Sequence, residues 1–355
     1  MPTPGPPQAS PPEAPRAAAP PPAAPALDTA LTGPAARGLR GARAALAFYA
    51  AEPGARPRPA PLDRAVWAAA QVANAARLVA TDRALRRAAL VPTALTAAGC
   101  ALLAAVSTTG RIVEGSAPSP LATFQAFLVA FVALASMPPT VLQRMWIRVA
   151  LEARRALGLP AGEDPFPGAG WARLAVREGW KAFRQFLTVS IGLAPLLFLV
   201  KLLPFGTEEA AVLGAAWAFY WIVVDAYELP IEVVPGPRGG APAPWYARLL
   251  RRAGARLRIL RPLGALGRFV DRLTRPWREE VHFTERHAAE TAGFGAAVGI
   301  VLAVPGLGLF FRAIAIVAAT AQVGALGPAP ALAGAAVAEG EDGERRADPA
   351  GEADA

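Results

Sequence analysis

The sequence predicts an all-α integral membrane protein with two full transmembrane helices, two helical hairpins that are full or re-entrant, and interfacial amphipathic helices. Three observations predict it. Charged residues make up only 18% of the 355 residues, against 54% hydrophobic. The apolar residues are gathered into runs, with no charge from Ala88 to Gly110 and none from Gly115 to Gln143. At roughly 1.5 Å per residue as helix, either run reaches across a hydrocarbon core of about 30 Å. The third observation is how the charges divide among the loops. The loop from Arg111 to Pro118 carries one Arg and one Glu, whereas Arg144–Arg184 carries eight basic residues and Arg238–Glu290 twelve. The positive-inside rule places both basic segments and both termini in the cytoplasm, and the short loop across the membrane. The same map explains the net charge of +9 as topology and leaves no nucleic-acid partner to invoke.

Taken in order, residues 1–60 are rich in Pro and Ala, contain no apolar core, and read as a disordered N-terminal extension without a cleavable signal peptide. Residues 61–327 form the predicted helical membrane domain, and 328–355 a disordered acidic C-terminal tail. Within the domain, residues 62–82 space Val66, Trp67, Ala70, Ala73 and Val79 at near-helical intervals, which predicts a helix lying in the cytoplasmic interface. The first spanning helix follows at about 84–109, with Thr81 or Asp82 as its N-cap. The second covers about 119–143 and is ended or kinked by Met137-Pro138-Pro139, because proline removes a backbone donor.

Two apolar pairs complete the domain. The first runs from Gln185 to Val200 and again from Ala210 to Val224; the second runs from Thr291 to Phe311 and again from Ala313 to Leu326. The uncharged arms of the first pair, 16 and 15 residues, reach roughly 24 Å as helix, short of a comfortable crossing. Either a tilted full hairpin or a re-entrant one returns the chain to its starting side. Lys201, Glu208 and Glu209 sit at the first turn, where they reach the far headgroups or line a wet cavity. Between the pairs, Pro244–Trp277 alternates leucines and aromatics with arginines and is broken by Pro262, which predicts a basic amphipathic segment on the anionic inner leaflet.

Few residues carry a chemical signal. Arg83, Arg86 and Arg87 open the first span, either as positive anchors or as donors to an anion. Asp225 and Glu228 stand where the fourth apolar arm meets the cytoplasm, either to bind a coupling proton or to pair with an arginine. Tyr220, Trp221 and Tyr227 fit an interfacial aromatic belt. The lone Cys100 forms no internal disulfide, and His282 and His287, five residues apart, lack companions at metal-ligand spacing. No nucleophile–base set, phosphate loop or cofactor motif stands out, so the chain does not read as an enzyme.

Three stretches carry a family resemblance. "ALRRAALVPTALT" is similar to the pattern that opens the first membrane helix of the CysZ-type sulfate permeases, relatives of the etoposide-induced 2.4-type membrane proteins. "WIVVDAYELPIEV" resembles the acidic, aromatic and Leu-Pro stretch that closes the family's first hairpin. "FGAAVGIVLAVPGLGLFFRAIAIVAATAQV" resembles its closing apolar motif. Together they cover about Asp63 to Val323, in the family's order. The resemblance implies two full spans, two partly penetrating hairpins, homo-oligomers, a bacterial-type inner membrane and sulfate uptake. It also implies an anion site at Ala84, Leu85, Arg86 and Arg87, with Arg83 beside it. A helix N-terminus and arginine forks suit a tetrahedral oxyanion. The expected function is therefore a transporter or channel for a small oxyanion such as sulfate. The alternative is a non-transporting membrane scaffold or membrane-shaping module that docks partners through its basic cytoplasmic segments.

Overall fold

In the computed structural model, residues 34–113, 142–202, 207–236, 240–256, 261–303 and 310–327 are described. Among them are eleven α-helices, a 3-10 turn at Arg275–Trp277 and no strand. The helices are α1 (Pro34–Ala51), α2 (Pro61–Thr81), α3 (Arg83–Val113), α4 (Gln143–Ala156), α5 (Trp171–Leu202), α6 (Thr207–Glu232), α7 (Trp245–Arg256), α8 (Arg261–Leu273), α9 (Arg278–Arg286), α10 (Ala288–Ala303) and α11 (Phe311–Leu326). The predicted second span at 119–143, with its Met137-Pro138-Pro139, and the acidic tail lie outside the described residues. Two units divide the chain after Arg43. Of the first, residues 34–43 open α1; everything below concerns the second, residues 44–355.

The core is built on α2, α10 and α11. Pro61 and Asp63 suit the first turn of α2, where proline lacks only a donor the helix does not use and a carboxylate meets the positive helix end. The helix stops at Thr81 because Asp82 turns extended (φ −76°, ψ 123°). Asp82 then caps α3: its Oδ1 accepts from the Leu85 N–H at 2.7 Å, while the Thr81 hydroxyl donates back to the Arg77 carbonyl. Of the two predicted caps, Asp82 is the one used.

The structure corrects the interfacial assignment of residues 62–82. Trp67, Ala68, Ala70, Gln71, Val72, Ala75 and Val79 are buried, and α2 packs chiefly on α10 and α11. The backbones touch: a Cβ added at Gly293 would lie 2.0 Å from the Ala65 carbonyl oxygen. Helix α11 is buried at Phe311 and continuously from Ala313 to Thr320, as a helix apolar on all sides must be. Its polar Gln322 is satisfied at both ends, accepting from the Tyr227 hydroxyl at 2.6 Å and donating to the Ala68 carbonyl at 3.3 Å.

The stretch assigned by composition to a disordered extension, residues 1–60, also contributes. Tyr49 on α1 is 1% exposed, Trp67 Nε1 donates to the Ala55 carbonyl and Asn74 to that of Tyr49. The few apolar residues of an Ala- and Pro-rich segment suffice here because α2 supplies the complementary surface.

Among the described residues, two helical stretches, Arg83–Val106 and Val212–Glu232, are long and apolar enough to cross a membrane. On α3, Leu90, Val91, Leu95, Leu102, Leu103 and Val106 are exposed with respect to the described residues. The helices of the first hairpin are longer than its uncharged arms: α5 has 32 residues and α6 has 26, roughly 48 and 39 Å. In the second, α10 and α11 have 16 each, roughly 24 Å, less than a hydrocarbon core. The basic segment that begins at Arg144 is not a plain loop either. Its α4 buries Trp146, Ile147, Val149, Ala150 and Ala153 against α3 and α11.

Candidate functional site

The first turns of α5 set Arg177, Lys181, Arg184 and Thr188 three or four residues apart, on one helix face. They meet the end of α6, where Glu228 and Glu232 are four apart, and Glu280 on α9. Lys181 Nζ donates to Glu228 Oε1 at 2.5 Å, with their side chains 10% and 1% exposed. Glu178 is fully buried and Glu280 nearly so; among the described residues, both Glu178 oxygens and Glu280 Oε2 have no hydrogen-bond partner. Arg177 lies at the edge. Its Nη2 is 3.4 Å from Glu232 Oε1, its Nε 3.7 Å from Glu178 Oε1, and its guanidinium sits 4.0 Å over the Phe166 ring.

One buried ammonium therefore faces four buried carboxyls, Glu178, Glu228, Glu232 and Glu280. Four full negative charges in so dry a site would be costly, so protons reside there. Burial, ahead of the neighbouring carboxylates, pushes Glu178 up to about 7 against the pull of Lys181. Burial likewise pushes Glu280 up to about 8. At Lys181 burial works against the charge, but Glu228, Glu232, Glu280 and Glu178 outweigh it and the net shift is upward. Near neutral pH the lysine is charged, Glu280 mostly protonated and Glu178 divided between its two forms. The cluster can take up and release a proton in the physiological range.

Beside it opens a cavity of about 520 Å³, whose lining includes Lys181, Arg184, Arg275, Arg278, Glu279 and Glu280. Behind it, aromatic rings pack the seam between α6, α7 and the 275–277 turn. Trp221 meets Tyr246 and Trp277 edge-on at 6.5 and 6.2 Å.

The sequence-predicted residues fall in three places. Arg83, Ala84, Arg86 and Arg87 are exposed at the start of α3, and Leu85 between them is buried. Arg86 Nη1 donates to the Ala80 carbonyl at 2.8 Å, and the Asp82 carboxylate holds the Leu85 amide, so an acid stands at this helix start. Asp225 and Glu228 part company: Asp225 Oδ2 is 3.8 Å from Arg312 Nη2, while Glu228 belongs to the Lys181 cluster. Tyr227, placed by sequence in an aromatic belt, is instead fully buried on Phe283 and Phe294.

Sequence reasoning missed Glu178, Lys181, Glu232 and Glu280. The Glu178/Lys181 spacing was visible, but a basic segment read as cytoplasmic loop hides any lysine that the fold buries. Comparison of the chain with known protein families, with curated proteins and with solved structures returns no match.

Proposed function

We propose that this chain is a multi-pass membrane protein that moves a small oxyanion, sulfate foremost, across the bilayer as a transporter or channel. The observation that carries the reading is the Lys181–Glu228–Glu178–Glu280 cluster, buried at the foot of helices whose outer faces are apolar. Ionisable groups buried in such a setting are expensive and mark ion or proton pathways. Carboxyls that exchange protons near pH 7 provide a means of coupling anion movement to a proton gradient. In this reading the first hairpin crosses the bilayer, the shorter α10–α11 hairpin enters it partway, and Arg83, Arg86 and Arg87 anchor α3 on the inside. The three motifs similar to the CysZ-type permeases support the same substrate class.

One observation favours the scaffold alternative. Helices α7 and α8 expose Trp245, Leu249 and Phe269 among arginines, a surface suited to an anionic leaflet or a partner.

The test is uptake of radiolabelled sulfate by the purified chain in liposomes, with and without an imposed pH gradient. Uptake above protein-free liposomes, responsive to the gradient and lost in Lys181→Met at matched insertion, is the expected result. Correctly inserted protein without uptake rejects transport and leaves the scaffold.

A further inference from the structure

Arg184 and Arg275 share the mouth of the 520 Å³ cavity. Neither forms an ion pair with a carboxylate among the described residues; Arg184 donates to the Arg272 carbonyl. The two guanidiniums act on each other. Burial first, and then the Arg275 charge, lower the pKa of Arg184. The other cations of the lining are already engaged, Arg177 by Glu232, Lys181 by Glu228 and Arg278 by Asp271 at 2.6 Å. Of the lining carboxyls, Glu232 is held by Arg177, Glu280 is mostly protonated near neutral pH and Glu279 opens α9. Arg184 and Arg275 are thus the two cations of the lining without a carboxylate partner among the described residues.

The second observation is apolar. Val176, Trp180, Phe183 and Phe186 are 74%, 60%, 49% and 66% exposed and form a stripe on one side of α5. Trp180 also lines the cavity, and its ring stacks on that of Phe183 at 5.6 Å. The stripe runs beside the charged face of α5, whose Arg177, Lys181 and Arg184 occupy the same turns, and its last member, Phe186, reaches the apolar arm that begins at Gln185.

We infer that the cavity and the near end of this stripe hold an anionic glycerophospholipid, with its phosphate between Arg184 and Arg275, its head group against Trp180 and an acyl chain passing Phe183 and Phe186 toward the apolar arm. A free oxyanion would satisfy the arginines but leave the aromatic stripe unused. A neutral lipid would cover the stripe but leave two positive charges unmatched. The inference rests on the membrane reading above.

The test is native mass spectrometry of the full chain, delipidated in detergent and offered equal amounts of phosphatidylglycerol and phosphatidylcholine with identical acyl chains. Phosphatidylglycerol should be retained preferentially, by about fivefold per arginine or roughly 25-fold for the pair. Arg184→Gln with Arg275→Gln should abolish the preference, and Arg275→Gln alone, at an exposed position, should cut it about fivefold. Trp180→Ala should weaken the binding of both lipids. Arg252→Gln with Arg256→Gln, on the exposed side of α7, should change nothing. Equal retention of the two lipids, an equal loss in the α7 control, or displacement of phosphatidylglycerol by millimolar sulfate or inorganic phosphate would each overturn the inference. Alkaline carbonate extraction separates the two levels of failure. A chain that stays in the membrane but shows no lipid preference refutes the lipid site alone, whereas a chain released by carbonate refutes both readings.

Discussion

Replacing Lys181 by methionine keeps the length of the side chain and removes the buried cation among four buried carboxyls, leaving the half-exposed Arg177 at the edge. Glu228 loses a donor 2.5 Å away, and Glu178 and Glu280 lose the charge that opposes their burial. Removing one partner of a buried ion pair costs about 3–5 kcal/mol. For a folded domain of roughly 250–300 residues each kcal/mol moves the melting temperature about 1.5–2 °C, so the variant should melt roughly 5–10 °C lower at pH 8. The penalty must depend on pH. The stranded carboxylates escape it by taking up protons, so it should shrink steadily between pH 8 and pH 5. Adding Glu228→Gln removes the stranded charge and should restore most of the loss at every pH. Thermal unfolding followed by circular dichroism in detergent at pH 5, 6.5 and 8 measures all three variants. A loss of equal size at pH 5 and pH 8, or a double variant no better than Lys181→Met alone, would refute the reasoning.

The wild type should itself lose stability with rising pH, because its raised carboxyls favour folding most fully below about 4.5 and cease to do so as the pH climbs through about 7 for Glu178 and about 8 for Glu280. Glu280→Gln should remove a slope of about 1.4 kcal/mol per pH unit between pH 5 and 8, read from unfolding curves across that range. Gly293→Ala drives a methyl into the Ala65 carbonyl and should cost about 3 kcal/mol or prevent folding. Gly299→Ala, with nothing within 4 Å, should be neutral or gain about 0.5–1 kcal/mol; melting temperatures of the two variants decide. Asp82→Ala should cost about 1 kcal/mol through the lost cap on α3, and Asp82→Asn much less. Arg86→Lys should leave insertion and topology unchanged in a cysteine-labelling assay, since an inside anchor is read by charge and not by shape.

The helices that carry runs of apolar residues were legible because hydropathy alone specifies them: α3, α6, α10 and α11 fall where the sequence puts them. The role of α2 was not. Its alanines look like a weak interfacial face, and only the glycine at 293 on a helix more than 200 residues away shows that the small side chains serve close backbone contact. The pairing of Glu228 with a basic residue was anticipated in kind, yet the partner is Lys181 and not an arginine. Counting charges by loop treats each one as solvated. Lys181, with Arg177, Glu178, Arg184 and Gln185 three and four residues away, reads as solvated yet is folded inward, and no local pattern announces which carboxyls from two other helices will meet it. Asp82 was legible as a cap because the rule is local: a short acid before a helical run, with its own side chain as the acceptor.

The contact between Ala65 and Gly293 has a consequence for biosynthesis. Helix α2 leaves the ribosome early, but the surfaces it packs against belong to α10 and α11, which begin about 200 residues later. At a synthesis rate of about 5–20 residues per second, α2 waits roughly 10–40 s for its partners. During that interval α2 has the segment around Tyr49 and Ala55 to pack on but not its main partners. The face that α10 and α11 will cover needs the shelter of lipid or a chaperone. A message truncated before α10 would keep most of the chain yet leave that face unclosed, and its product should be a substrate for quality-control proteolysis.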